Sequence, residues 1–220
     1  MQFVTRIRVL ATALCIATAA AAQAPSQENL STNARLLMAA RNADADALRR
    51  EIANGAAIDS RNRLGETVLI VALKKDRADL AVIALDAGAD ANLAALNGIT
   101  PLMAAAYGGH DAIAQRLLAK GANPAAVDRL GKTAMTYAAG EGRTAIVQML
   151  LAAGVNPNAV YANDLTALMW AAGYGKTDTV KALLAAGADP ARKDNRGKTA
   201  ADIAREQGFA QTVAALDAKG

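Results

Sequence analysis

Cysteine, histidine and aromatic residues are nearly absent from this chain of 220 residues. It contains one cysteine and one histidine, and only 3% of its residues are aromatic. Zinc sites use three or four cysteine, histidine or carboxylate ligands, and a disulfide within the chain needs two cysteines, so the composition excludes thiol and imidazole clusters. The serines are Ser26, Ser31 and Ser60, which give no basis for a Ser-His-Asp triad with His110.

Alanine, in contrast, is abundant. It accounts for 58 of the 220 residues, and 53% of the chain is hydrophobic. This apolar fraction is ample for a folded core, but the core has to be built mainly from small side chains. Small side chains allow backbones to approach closely, so the composition predicts tightly packed helices.

Residues 1–22 have the pattern of an export signal. Arg6 and Arg8 precede an apolar run over 9–22, which has the length of a signal-peptide core and is too short to span a membrane. Small residues up to Ala22 fit the signal-peptidase pocket, and cleavage there leaves Gln23 as the first residue. We therefore predict an exported, periplasmic bacterial protein, with an uncleaved anchor as the alternative.

Cleavage at this site would remove the cysteine and two basic residues. Leu14 precedes Cys15, where a lipoprotein signal has a small residue, so we expect no lipidation. The formal net charge of +4 falls to +2 in the predicted mature chain, and its acidic residues are spread throughout. We predict no nucleic-acid partner and no stable membrane insertion after cleavage.

The remainder of the chain repeats with a period of 33 residues. The threonines of the repeat are Thr67, Thr100, Thr133, Thr166 and Thr199. The same spacing recurs in a glycine series, Gly55, Gly88, Gly121, Gly154 and Gly187, and in an alanine series, Ala39, Ala72, Ala105, Ala138, Ala171 and Ala204. A fixed period of this length indicates a solenoid of stacked supersecondary units.

One unit shows how each repeat is built. Gly98 favours a turn, and Thr100 is placed to cap a helix that has Pro101 in its first turn. Apolar residues at i, i+3 and i+4 define this short first helix, and a glycine pair ends it. A second helix follows and ends at Gly121, in the position of a left-handed C-cap.

The unit Gly98-Ile-Thr-Pro-Leu-Met-Ala-Ala-Ala, followed by Gly109-His110, Leu117-Leu118 and Gly121-Ala-Asn, resembles the ankyrin repeat. The resemblance covers residues 30 to 217. It implies an all-α solenoid of helix-turn-helix units joined by hairpin-like turns. We predict a signal peptide over 1–22, a short linker over 23–30 and an ankyrin-repeat domain over 31–220, with about six repeats of which the first and last act as polar caps.

The chain departs from the family pattern at several positions. The usual histidine of the first helix is replaced in turn by Ile70, Met103, Thr136, Met169 and Asp202, so the hydrogen bonds that it lends between turns should be missing. Asp164 stands where the other units have a turn glycine, and we expect this turn to be locally less stable. In the first repeat, Arg49, Arg50 and Glu51 suit an exposed cap.

The sequence contains no complete cofactor-binding motif. Gly-Lys-Thr occurs at Gly131, Gly175 and Gly197, but the glycine that a phosphate-binding loop needs five residues earlier is absent each time. The 33-residue repeat accounts for all three. We predict no nucleotide, no cofactor, no metal and no catalytic residue.

The resemblance implies that partners bind in a concave groove lined by the turn tips and first helices. We therefore predict a non-enzymatic, monomeric module that binds a partner protein of unknown identity. The candidate binding residues are Arg63, Glu66, Lys74, Lys75, Asn97, Ile99, Tyr107, Arg129, Lys132, Glu141, Tyr161, Asn163, Leu165, Trp170 and Tyr174. The alternative function is a hydrolytic enzyme that uses carboxylates of the groove.

The aromatic residues refine this assignment. Tyr107, Tyr161 and Tyr174 are expected to be exposed, because tyrosine at such positions is typical of interface hot spots. Tyr137 and Trp170 directly precede alanine pairs, and the sequence leaves open whether they pack between repeats or face a partner.

Overall fold

The structure is a computed structural model that describes residues 31–218. The predicted signal peptide and linker lie outside the described residues. Within the described range the chain forms twelve α-helices and one 3-10 turn, with these bounds: α1 Thr32–Asn42, α2 Ala45–Ala53, α3 Val68–Lys74, α4 Ala78–Asp86, α5 Pro101–Gly108, α6 Asp111–Ala119, α7 Ala134–Glu141, α8 Thr144–Ala152, the 3-10 turn Ala162–Asp164, α9 Ala167–Gly173, α10 Thr177–Ala185, α11 Ala200–Glu206 and α12 Ala210–Asp217.

The helices form six antiparallel pairs that stack in two layers. The first helices pack in the order α1, α3, α5, α7, α9, α11, and the second helices pack in the order α2, α4, α6, α8, α10, α12. Each pair contacts only its neighbours, as in a repeat solenoid. The expected all-α architecture of paired helices is confirmed.

The recurring threonines begin the first helices, as the sequence predicts. The side-chain oxygen of each accepts a hydrogen bond from the backbone N–H three residues later, which satisfies a donor that the helix itself leaves unpaired. This cap is present at Thr67, Thr100, Thr133, Thr166 and Thr199.

Side chains that replace the family histidine complete the cap in four of these helices. Met103 Sδ and Met169 Sδ each accept from the backbone N–H of the cap threonine at 3.5 Å, and Thr136 Oγ1 and Asp202 Oδ2 do so at 2.9 and 3.0 Å. Ile70 has no acceptor to offer. The substitutions therefore retain a local hydrogen bond at the helix start, whereas the sequence suggests only a loss.

Alanine lies where the first helices meet. Ala72, Ala105, Ala138, Ala171 and Ala204 are each fully inaccessible to solvent. Small side chains at these positions allow the helices to pack closely, and Leu69, Leu102 and Leu168 belong to the same buried core. The alanine excess of the composition thus corresponds in part to a row of buried residues in the helices that stack on one another.

A side-chain ladder joins the loops that follow the second helices. Asn92 Oδ1 accepts from the backbone N–H of Asn123, and its amide donates to the carbonyl of Gly121. Asn158 makes the equivalent bonds to Asp189 and Gly187 two junctions further on. At the intervening junction the equivalent residue is Ala125, which has no side-chain group to form them.

A second ladder, between the turn tips, is interrupted at the same junction. Backbone N–H groups of Leu96, Arg129 and Asn195 donate to the carbonyl of the preceding tip at 3.0, 3.0 and 3.2 Å. Among the described residues no such bond joins the tip at 162–164 to its predecessor. This tip contains Asn163 and Asp164, with φ angles of 61° and 57° in place of a turn glycine. The interruption is consistent with the reduced local stability expected there.

Charged and polar side chains are exposed at both ends of the array, but one charged residue of the first repeat is buried. Arg49 and Arg50 are exposed on α2, and 205–207 is exposed at the end of α11. Glu51 is instead buried, and one of its carboxylate oxygens lies 3.0 Å from Arg35 Nε. The expectation that Glu51 belongs to the solvent-facing cap is therefore wrong, because helix periodicity turns it toward α1.

Residues 31–218 include no helix long and apolar enough to cross a membrane. In the same part of the chain, no three histidine, cysteine or carboxylate side chains are grouped as metal ligands.

Restoring the missing ladder rung should stabilise the array. We expect Ala125→Asn to raise the free energy of unfolding by about 1 kcal/mol, because the new amide can bond to the loop at 154–156. Urea denaturation measures this change. Ala191→Asn is the matched control, since the described residues include no partner loop for it. Equal effects of the two substitutions would show that the gain does not come from the ladder.

Candidate functional site

One face of the array collects most of the predicted binding residues. We call it the groove face: the turn tips that precede each first helix, together with the C-terminal halves of α3, α5, α7 and α9 and the residue that follows each of these helices. Nine of the predicted residues are exposed there, namely Arg63, Lys74, Lys75, Asn97, Tyr107, Arg129, Glu141, Asn163 and Tyr174. Five are half-buried, namely Ile99, Lys132, Tyr161, Leu165 and Trp170.

Glu66 is the one predicted binding residue that the structure buries, with 8% of its surface exposed. Its carboxylate accepts from Lys74 Nζ at 2.6 Å and from the amide of Asn62 at 2.8 Å. Burial by itself would raise the pKa of Glu66, but the bonds from Lys74 and Asn62 outweigh it and lower the pKa. Glu66 therefore positions Lys74 and is not itself a contact surface.

Tyr161 also differs from its prediction. It is half-buried against the core, at the turn position where other repeats carry Asn62, Asp128 or Asp194. Burial raises the pKa of its phenol, an effect that a hydrogen bond with Thr133 partly offsets. The expectation of an exposed Tyr161 is wrong, because the ring fills the space under its own turn.

Tyr107 and Tyr174 are exposed as expected, with 57% and 56% of their surfaces accessible. Each is held by an aromatic neighbour. Tyr107 meets Tyr137 edge to face at 6.0 Å between ring centroids, and Tyr174 stacks on Trp170 at 6.1 Å. Such pairs stabilise a fixed ring orientation, so both exposed rings are held in place before any partner arrives.

Lys132 connects the two aromatic pairs. Its Nζ atom lies 5.4 Å from the ring centroid of Tyr137 and 4.8 Å from that of Trp170. Cation–π contacts of this geometry are favourable, and the contact with Trp170 crosses the junction at which both ladders are interrupted. Tyr137 and Trp170 are half-buried and make contacts between repeats, Tyr137 with Tyr107 and Trp170 with Lys132.

The polar end of Tyr137 is fixed by Asp128. The phenol donates to Asp128 Oδ2 at 2.6 Å, while Asp128 Oδ1 accepts from the backbone N–H groups of Leu130 and Lys132. Burial and this bond to Asp128 raise the pKa of the Tyr137 phenol well above its usual value. The ring, the turn and Lys132 are thus held by one carboxylate.

A cavity of about 470 Å³ opens beside the first aromatic pair. Ile70, Leu73, Ile99 and Met103 form its apolar lining, and Tyr107 and Tyr137 form one wall. This volume falls in the range of sites that accept a small ligand or a buried side chain. His110 also borders the cavity, but its Nε2 atom lies 3.1 Å from the carbonyl of Leu73. That contact supports the structural role expected for the lone histidine.

Aliphatic side chains at the turn tips are the part of the face that the predicted binding set omits. Leu64, Leu96 and Leu130 are 62%, 57% and 70% exposed, and Val127 and Val160 are 60% and 46% exposed. The three leucines are recognisable from the sequence as tip residues. The two valines are recognisable in the same way, because each lies six residues before a cap threonine.

These features define a class of protein: a solenoid of helix pairs that presents turns and first helices on one face. The family model for ankyrin repeats in three copies matches residues 36–126, 79–161 and 153–220, so the chain belongs to the ankyrin-repeat family. Ankyrin repeats are in general protein–protein interaction modules.

The solved structures agree with this assignment. The chain is similar to the ankyrin repeat protein EF0377, with 29% sequence identity and a TM-score of 0.75. The match covers 86% of this chain and 98% of that chain. A search of curated protein sequences returned no significant match.

The bond between Tyr137 and Asp128 should be visible in the pH dependence of stability. Because the folded protein holds the phenol proton more tightly than the unfolded chain, the stabilisation is complete below the unfolded tyrosine pKa of about 10 and is lost as pH rises further. We expect Tyr137→Phe to lower the free energy of unfolding at neutral pH by about 1 kcal/mol and to flatten its decline in alkali. Urea denaturation at neutral pH and in alkali measures the loss of stability and the change in its pH dependence.

Tyr174→Phe is the control for this experiment, because no hydrogen bond of the Tyr174 hydroxyl is seen in the described structure. A Tyr137→Phe protein with the stability and pH profile of Tyr174→Phe would contradict the assigned role of Asp128.

Proposed function

We propose that this protein is an exported, non-enzymatic scaffold that binds a partner protein, as a monomer, through the groove face. The observation that carries the proposal is the pair of exposed tyrosines, Tyr107 and Tyr174, each held by a second ring. Exposed aromatic residues in fixed orientations are the groups that contribute most to protein interfaces.

The surroundings of the tyrosines support the same function. Between them lie Lys132 and the half-buried Trp170, and the turn tips add exposed aliphatic side chains. An apolar centre with polar groups around it is the usual arrangement of a protein-binding surface. Leu96 and Leu130 are more than half exposed, so a partner would remove apolar area from water on binding.

The hydrolytic alternative gains no specific support from the carboxylates of the groove face. Glu66 is engaged by Lys74, and Asp128 by Tyr137 and two backbone amides. Glu141 is exposed at the end of α7. We therefore propose the binding function and no second one.

Site-directed photo-crosslinking tests the binding face. A benzoylphenylalanine at position 174 should capture a partner in the native compartment, whereas the same residue at position 148, an exposed site on α8, should not. Tyr107→Ala combined with Tyr174→Ala should weaken binding of the captured partner by at least about tenfold, since buried aromatic anchors each contribute about 2 kcal/mol. Binding is measured by titrating the purified partner.

The matched control combines Gln115→Ala with Gln148→Ala, which changes two exposed residues of the second helices. The tyrosine double variant should remain folded, with a loss of about 1 kcal/mol for each aromatic pair. Capture at position 148 instead of 174, or full affinity of the tyrosine double variant, would refute binding through the groove face.

Export has a test of its own. The charged start and the apolar run over 9–22 support cleavage after Ala22, so the protein isolated from the periplasm should begin at Gln23. Ala22→Trp should block processing because the peptidase pocket admits only small residues, whereas Ala11→Trp, earlier in the apolar run, should not. N-terminal sequencing of both variants checks this, and retention of the unaltered protein in the cytoplasm would overturn it.

A further inference from the structure

The charges of the groove face are distributed unevenly between buried and exposed positions. Its buried carboxylates are used within the protein. Glu66 pairs with Lys74, Asp128 accepts from Tyr137, and Asp194 pairs with Arg196 at 2.6 Å. The buried carboxylates of this face are therefore all engaged by hydrogen bonds or ion pairs within the protein.

Several cations of the same face have no such partner. In the part of the chain that the structure describes, no carboxylate lies within ion-pair distance of Arg63, Lys75, Arg129 or Lys132. Against them stand three exposed acidic residues, Asp76, Glu141 and Asp164, of which Asp76 borders the cavity and lies 3.6 Å from His110 Nδ1. The four cations without a carboxylate partner therefore outnumber the exposed acidic residues of this face by one.

These cations alternate with apolar groups and do not form a continuous basic stripe. Arg129 neighbours the exposed Leu130, and Lys132 lies over the ring of Tyr137. Tyr137 in turn forms one wall of the 470 Å³ cavity lined by Ile99 and Met103. An apolar subsite and a cationic subsite therefore share one side chain.

We propose that the groove face recognises an acidic, extended peptide segment of its partner, with one large apolar side chain placed in the cavity and carboxylates beside it on Lys132 and Arg129. This inference rests on the proposed function and states the chemistry of the partner. Neighbouring helices lie about 10 Å apart and an extended chain rises about 3.3 Å per residue, so a segment that crosses three repeats has about six to nine residues.

Two contributions to the binding affinity differ in their dependence on salt. Burial of one Leu or Phe side chain in the cavity removes apolar area from water, and this contribution to the affinity is insensitive to salt. Carboxylates on half-exposed cations add less affinity, but they set orientation and exclude basic segments, and their effect weakens with salt. A nucleic acid fits less well, because tight phosphate binding uses about six to ten cationic contacts and no apolar pocket.

Selection from a phage-displayed library of random peptides of about 12 residues tests the proposal with the full chain as bait. We expect the selected sequences to carry net negative charge and at least one Leu, Phe, Tyr or Met. Arg129→Glu combined with Lys132→Glu should weaken binding of a selected peptide by at least about tenfold at low salt and by less at high salt. Fluorescence anisotropy of the labelled peptide measures both affinities.

The matched control combines Lys120→Glu with Lys181→Glu, which makes the same charge change at the C-terminal cap of α6 and on α10 and should leave the affinity within about twofold. Arg129→Glu alone is the control for misfolding of the double variant, because the Arg129 side chain is exposed and makes no contact with a carboxylate. Its thermal denaturation should match that of the unaltered protein.

Selection of neutral or basic peptides, selection of none, or equal losses in the two double variants would overturn the proposal. So would equal or tighter binding of a single-stranded DNA oligonucleotide of the same charge. These failures are distinguishable from failure of the proposed function: a photo-crosslinked partner that depends on Tyr107 and Tyr174, but not on Arg129 and Lys132, would leave the groove function intact.

Discussion

Close packing of the first helices on one another is the constraint on which the rest of the structure depends. Ala105, Ala138 and Ala171 are completely buried, and the helices that carry them, α5, α7 and α9, pack in succession. Because small side chains allow these helices to approach closely at a regular spacing, the turns come into register from one repeat to the next. The ladders of hydrogen bonds at the turn tips and loops, and the rows of side chains on the groove face, follow from that register.

The groove face has its centre at the junction where both ladders are interrupted. At this junction Ala125 has no side-chain group to form the loop hydrogen bonds, and the tip at 162–164 makes no backbone hydrogen bond to the preceding tip in the described structure. The contacts that cross it on the groove face are side-chain contacts, with Lys132 over Trp170 as the main one. The side chains that hold this junction together therefore also belong to the proposed binding face.

Much of the fold could be predicted from the sequence because its signals are local and repeated. A threonine cap, a glycine after the second helix and apolar spacing within a helix act over a few residues, and five copies of each reinforce one another. The exposure of Tyr107 and Tyr174 follows in the same way, since their position in the unit sets the direction of the side chain. Glu66 and Tyr161 were mispredicted because their burial depends on contacts formed in the fold: Glu66 with Asn62 and Lys74, and Tyr161 with Thr133 of the preceding repeat.

The sequence by itself determined the repeat length, the helix pairs, the alanine contacts and the face on which variable residues lie, because each depends on periodicity within one unit. Only the tertiary structure decided which charges of that face are used internally. Glu66 and Lys74 are eight residues apart and pair through the folding of a turn over a helix, while Lys132 reaches Trp170 only when two repeats stack. Residues that folding brings together have no regular spacing in the sequence. Only the tertiary structure therefore shows which cations of the described residues lack a carboxylate partner and which aromatic rings are held in place.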